Sequence, residues 1–116
     1  MIRFALALML LAWSPQARAG ETVWTSLKAG GHVLLMRHAL APGVGDPAGY
    51  RLDDCATQRN LSEEGREQAR SFGAELRRRG VAVDRVLTSA WCRARDTATL
   101  LDVGPVEPEP ANAGHR

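Results

Sequence analysis

The sequence predicts an α/β fold: a partial open parallel sheet with flanking helices. Three observations lead to it. His32-Val33-Leu34-Leu35-Met36 is an almost continuous apolar run after the pair Gly30-Gly31, the pattern of a strand buried on both faces. Gly65, Ala69, Phe72 and Leu76 then recur at helical spacing. Arg85-Val86-Leu87-Thr88 reads as a second short strand, and Ala90 to Leu101 as a second helix with Ala94, Ala98 and Leu101 on one face. The order is β-α-β-α, the start of an open α/β sheet.

The elements follow from the N-terminus. Met1-Ile2-Arg3 is a short positive start, Phe4 to Trp13 is nearly all apolar, and Ala17-Arg18-Ala19 is a small-x-small site before Gly20. This three-part layout predicts a secretory signal peptide over residues 1–19 and a periplasmic or secreted location. The apolar run falls short of the roughly 20 residues that span a bilayer, so no membrane association is expected after cleavage. Removing the leader removes Arg3 and Arg18 and no acidic residue, so the formal net charge of +2 falls to zero. A neutral chain gives no electrostatic case for nucleic acid.

Thr22 to Lys28 reads as a short helix or turn. Residues 39–60 form a long loop punctuated by Pro42, Gly43, Gly45, Asp46, Pro47 and Gly49. The helix is predicted over 62–79: Ser62 suits the N-cap, Glu63 and Glu64 suit the first turn, Arg77, Arg78 and Arg79 suit the last, and Gly80 stops it. Gly104-Pro105 ends the second helix, and residues 105–116 read as an irregular tail. Residues 20–104 are left as the folded unit. Cys55 and Cys92 form either one disulfide in an oxidising compartment or two free, part-buried thiols. Their spacing fits neither a CxxC redox pair nor a zinc site.

Ligands of open parallel sheets bind beyond the carboxyl ends of the strands. Arg37-His38 closes the first predicted strand, Ser89 closes the second, and Arg93 falls in the first turn of the next helix. Neighbouring strands would gather one imidazole and two guanidiniums near a helix N-terminus, a combination suited to phosphate. A neutral imidazole nitrogen attacks phosphorus while guanidiniums hold the oxygens.

Leu35-Met36-Arg37-His38-Ala39 resembles the Arg-His-Gly signature of the histidine phosphatase superfamily, the phosphoglycerate-mutase-like fold. Asn60-Leu61-Ser62-Glu63-Glu64-Gly65-Arg66-Glu67-Gln68-Ala69 is similar to that family's N-L-[ST]-x-x-G-x-x-Q-A segment, and Ser89 to Ala98 to its S-x-x-x-R-A-x-x-T-A segment. The resemblance covers roughly residues 32–101 and implies the N-terminal portion of such a domain. It implies that His38 accepts the phosphoryl group and that Arg37 and Arg93 clamp it. Arg59 would add a third positive contact or lie at the surface. Ser89 would cap the helix or touch phosphate. Trp91 and His32 read as structural. No metal or organic cofactor is implied, and the partner is a phosphorylated small molecule or phosphoprotein.

The sequence departs from the family at Ala39, where the signature has glycine. It also lacks the family's second catalytic histidine on a later strand: His115 has no apolar strand before it. The expected activity is hydrolysis of a phosphomonoester or phosphohistidine through a phosphohistidine intermediate on His38, with an inactive chain as the alternative because the second catalytic histidine is missing. Asp53 and Asp54 are the candidates for general acid. The alternatives are a non-catalytic truncated remnant, a phosphate- or partner-binding module, and a small exported protein stapled by Cys55 and Cys92.

Overall fold

The capping and periodicity signals of residues 62–79 become helix α2, Glu63–Arg78, in the computed structural model, which describes residues 15–109. Ser62 Oγ accepts the Gly65 N–H at 3.0 Å, as an N-cap should. At the other end Gly80, with φ +70°, donates to Arg77 O, and Val81 donates to Leu76 O, both at 3.0 Å. This pair of bonds satisfies carbonyls the last turn leaves open and needs a left-handed residue, hence glycine. Gly65, Ala69, Gly73 and Leu76 are buried along one face, while Phe72 is half-buried against Trp24.

The stripe of α2 packs on α3, Cys92–Leu101. Contact is close because Gly73 has no side chain: a Cβ there would lie 1.8 Å from Leu101 O. Arg77 reaches across and donates to Leu101 O at 2.7 Å and Asp102 O at 2.8 Å. It therefore supplies donors to the open C-terminal carbonyls of α3, a long-range role for a residue whose sequence position suggested only a charged helix end.

β1, Val86–Thr88, leads into α3, and α3 leads into β2, Val106–Pro108. The two strands pair in parallel, with Val86 opposite Val106 and Thr88 opposite Pro108. Glu109 N–H extends the ladder to Thr88 O at 2.8 Å, and Arg85 pairs with Glu107 at 3.0 Å. The α/β class therefore holds, as a βαβ unit with α2 packed on its helix. Residues 106–108 are a strand where the sequence suggested irregular tail. The sequence signal is faint because the strand is three residues long and ends in a proline, which has no N–H to continue a ladder.

The larger correction concerns residues 32–36. They form no strand, and Val33 and Leu35 are 85% and 90% exposed. The predicted buried strand needs hydrogen-bonded neighbours and covering layers. The sheet among the described residues contains only β1 and β2, and the apolar run lies outside it. His32 consequently opens no strand.

α1, Pro15–Ala29, is longer than the predicted turn at 22–28 and runs without a break through the Ala19–Gly20 junction. The rest of the predicted leader and the tail beyond residue 109, including His115, lie outside the described residues. Among the described residues, no helix is long and apolar enough to cross a membrane.

Candidate functional site

The position of His38 is set one residue downstream. Ala39 N–H donates to Thr97 Oγ1 at 3.0 Å, and Leu40 N–H donates to Gln68 Oε1 at 3.0 Å. Leu40 O accepts Ser62 N–H at 3.1 Å. Gly65 permits this approach, since a Cβ there would lie 2.1 Å from Leu40 O. The Ala39-Leu40 backbone is thus clamped between α2 and α3. The residues doing this are Ser62, Gly65 and Gln68 from one sequence motif and Thr97 from another. Neither motif revealed that purpose by spacing alone.

The clamp stands in place of the predicted sheet edge at Arg37-His38. Arg37 is exposed and His38 is half-buried. His38 Nδ1 lies 2.7 Å from Ala39 O. A carbonyl oxygen only accepts, so Nδ1 must carry the hydrogen in this contact. In the neutral ring Nε2 is then the nitrogen with a free lone pair.

Arg93 sits one helical turn before Thr97, whose hydroxyl donates to Arg93 O at 2.7 Å. Its guanidinium Nη1 donates to Asp46 Oδ1 at 2.9 Å and more weakly to Arg59 O at 3.4 Å. The two ion-paired side chains are only 11% and 7% exposed. The guanidinium carbon lies 4.4 Å from the centroid of the Trp91 ring, itself in contact with Tyr50 at 5.0 Å. Asp46 Oδ1 also accepts Arg59 N–H at 2.9 Å. That backbone hydrogen bond is the main reason the Asp46 carboxyl is held below the usual carboxylate range; burial opposes the shift, and Arg93 adds to it.

Arg59 acts through its own loop. Its Nε donates to Gly45 O at 2.9 Å and its Nη1 donates to Ala41 O. These donors fold the 41–46 segment around the guanidinium, so the side chain serves as a loop staple. Ser89 is half-buried, and the helix cap expected of it is absent: the N-cap of α3 is Trp91, with no side-chain cap bond. Gln58 does the work from a distance, its Oε1 accepting Cys92 N–H at 2.9 Å while its Nε2 donates to Arg51 O at 2.8 Å. A cap supplied from 34 residues away leaves no local sequence signature.

Cys55 and Cys92 are joined as a disulfide with Cα atoms 5.7 Å apart. It ties the long loop to the first residue of α3, beside Arg93. Asp54 accepts Ala56 N–H at 3.1 Å and caps a short 3-10 turn at Cys55–Thr57, while Asp53 pairs with Arg51 at 3.0 Å. Both candidate acids therefore have local duties in the loop. No cluster of three metal-ligating side chains occurs among the described residues.

The Ala39-Leu40 backbone therefore joins the three sequence motifs, with Gln68 on α2 and Thr97 on α3 holding the residues that follow His38, and Arg93 lying one turn before Thr97 on α3. This is the class of an α/β protein with a candidate oxyanion site. The chain matches the histidine phosphatase superfamily (branch 1) over residues 17–111, and it belongs to that family. It is 36% identical over 74 residues to the mitochondrial serine/threonine-protein phosphatase Pgam5 of Drosophila willistoni, covering 64% of this chain and 23% of that protein. Pgam5 of Drosophila virilis is 35% identical over 74 residues, again 64% of this chain and 23% of the relative. Pgam5 of Drosophila grimshawi is 34% identical over 70 residues, 60% of this chain and 22% of the relative. The chain thus spans less than a quarter of the length of these curated relatives. No solved structure matches it.

Proposed function

We propose that this chain carries the nucleophile side of a phosphatase site, with His38 Nε2 attacking a phosphomonoester. The observation that carries the reading is the contact of Nδ1 with Ala39 O, on a residue whose own N–H is held by Thr97. It orients the ring and leaves Nε2 as the nucleophile. As the N–P bond forms, the ester P–O bond breaks and the leaving oxygen takes the electron pair. Water then attacks phosphorus, the N–P bond breaks, and inorganic phosphate leaves. Arg93 and Arg37 stabilise the charge on the phosphoryl oxygens.

The relatives are named serine/threonine-protein phosphatases, which favours a phosphoprotein over a phosphorylated small molecule as substrate. The leader pattern supports export, and the disulfide suits an oxidising compartment. The test is hydrolysis of p-nitrophenyl phosphate and of a phosphothreonine peptide by the full chain and by His38→Ala. Activity in the wild type that disappears in the variant is expected. Equal rates in the two proteins would reject the enzyme reading.

A further inference from the structure

Asp46 has no part in the motifs that point to phosphate chemistry, yet it is the residue that holds Arg93. Resting on the phosphatase reading above, we infer that Asp46 is a positioning residue: its Oδ1 fixes the Arg93 guanidinium so that the Nε/Nη2 edge is presented to the phosphoryl group.

The geometry assigns each part. Arg93 Nη1 is committed to Asp46 Oδ1 and Arg59 O. The Trp91 ring lies against the guanidinium. One end and one face of the fork are thereby fixed. Among the described residues, Nε and Nη2 make no hydrogen bond. The Arg93 side chain as a whole keeps 11% of its surface exposed. The edge that remains is the Nε/Nη2 pair of N–H groups, which is the edge that binds tetrahedral oxyanions in a bidentate manner.

Asp46 is itself held from outside the ion pair. Arg59 N–H donates to the same Oδ1, and the Arg59 side chain staples the segment that leads into Asp46 through Gly45 O and Ala41 O. The Cys55–Cys92 bridge closes the far end of the loop onto α3. The anchor is therefore preorganised, and Arg93 loses no further side-chain freedom when the anion arrives. The acceptor position matters in this arrangement more than its charge, since a carboxylate beside the site subtracts from the pull on an anion.

Asparagine keeps an acceptor oxygen at the same place without the charge, and glutamate keeps the charge but moves the oxygen by a methylene. The test is calorimetric titration of tungstate, a tetrahedral oxyanion, into the full chain and into Asp46→Asn, Asp46→Glu, Asp46→Ala and Arg93→Gln, with a melting curve for each protein. Asp46→Asn is expected to bind within about threefold of wild type, or tighter. Asp46→Glu and Asp46→Ala are expected to bind about 10- to 100-fold more weakly, the worth of a charge-assisted hydrogen bond. Glutamate binding like aspartate while asparagine loses affinity would overturn the inference, because charge rather than position would then matter. Alanine binding as well as wild type would overturn it too. If Asp46→Ala fails to melt cooperatively, the asparagine and glutamate pair decides alone. No tungstate binding to wild type, or unchanged binding to Arg93→Gln, would instead reject the phosphate reading of the site.

Discussion

Replacing Thr97 by valine tests the clamp that places His38. Valine matches threonine in shape and loses only the hydroxyl. In the wild type that oxygen accepts Ala39 N–H at 3.0 Å and donates to Arg93 O at 2.7 Å. Arg93 O keeps its place in the helix ladder, so the second loss is small. The first leaves a half-buried N–H with no acceptor, at a cost of about 1–2 kcal/mol. If the opening that exposes Ala39 is local, its amide exchanges about 5- to 30-fold faster. NMR-detected hydrogen exchange reads this directly, with Cys92 N–H, held by Gln58, as an internal reference. Thr97→Ser, which keeps the hydroxyl, should leave Ala39 protection near wild type. Equal protection of Ala39 in wild type and Thr97→Val would refute the clamp. Faster exchange at Cys92 by the same factor would mean that the whole domain had loosened instead.

Gly73→Ala brings a Cβ to 1.8 Å from the Leu101 carbonyl, a backbone atom that cannot swing away. The roughly 1 kcal/mol gained in helix propensity is outweighed, and a net loss of about 1–3 kcal/mol is expected in urea unfolding. A melting temperature equal to or above wild type would show that α2 and α3 are farther apart. At acid pH, Asp46 contributes stability that is fully present above the unfolded carboxyl value of about 4 and is lost as pH falls through its lower folded value. Asp46→Asn should therefore lose less stability than wild type between about pH 4 and pH 2, as followed by urea midpoints. Glu75, lowered to about 2 chiefly by Arg78 and also by Arg79, remains in both proteins and cancels in the comparison. Parallel acid limbs would show that the Asp46 charge does not stabilise the fold.

What the sequence made legible divides by range. Helix 62–79 was readable because Ser62, Glu63, Glu64, the apolar stripe and Gly80 all act within a few residues of one another. The elements that failed depend on distant partners. The run 32–36 carries the composition of a buried strand, but composition does not supply a neighbouring ladder. Residues 106–108 carry almost no strand signal and pair because α3 returns them beside β1. At the site, the motifs point to His38, Arg37 and Arg93, while Gln68 in the second motif and Thr97 in the third have no task that spacing reveals. Their task depends on the Ala39-Leu40 backbone lying between them. Asp46 reads in sequence as one more residue of a turn-rich loop, although a carboxylate between Gly45 and Pro47 beside a cationic site is a signal in itself. Sequence position offers Ser89 as the cap of α3, and Gln58 provides it from across the fold.

The proposed function rests on His38 Nε2 as phosphoryl acceptor. It is tested most directly by exposing the full chain to phosphoramidate, quenching in alkali to preserve phosphohistidine, and locating the adduct by peptide mapping and phosphorus NMR. A phosphoryl group on Nε2 of His38, absent from His38→Ala, is the expected result. An adduct confined to other histidines, one on Nδ1 of His38, or none at all would contradict the claim.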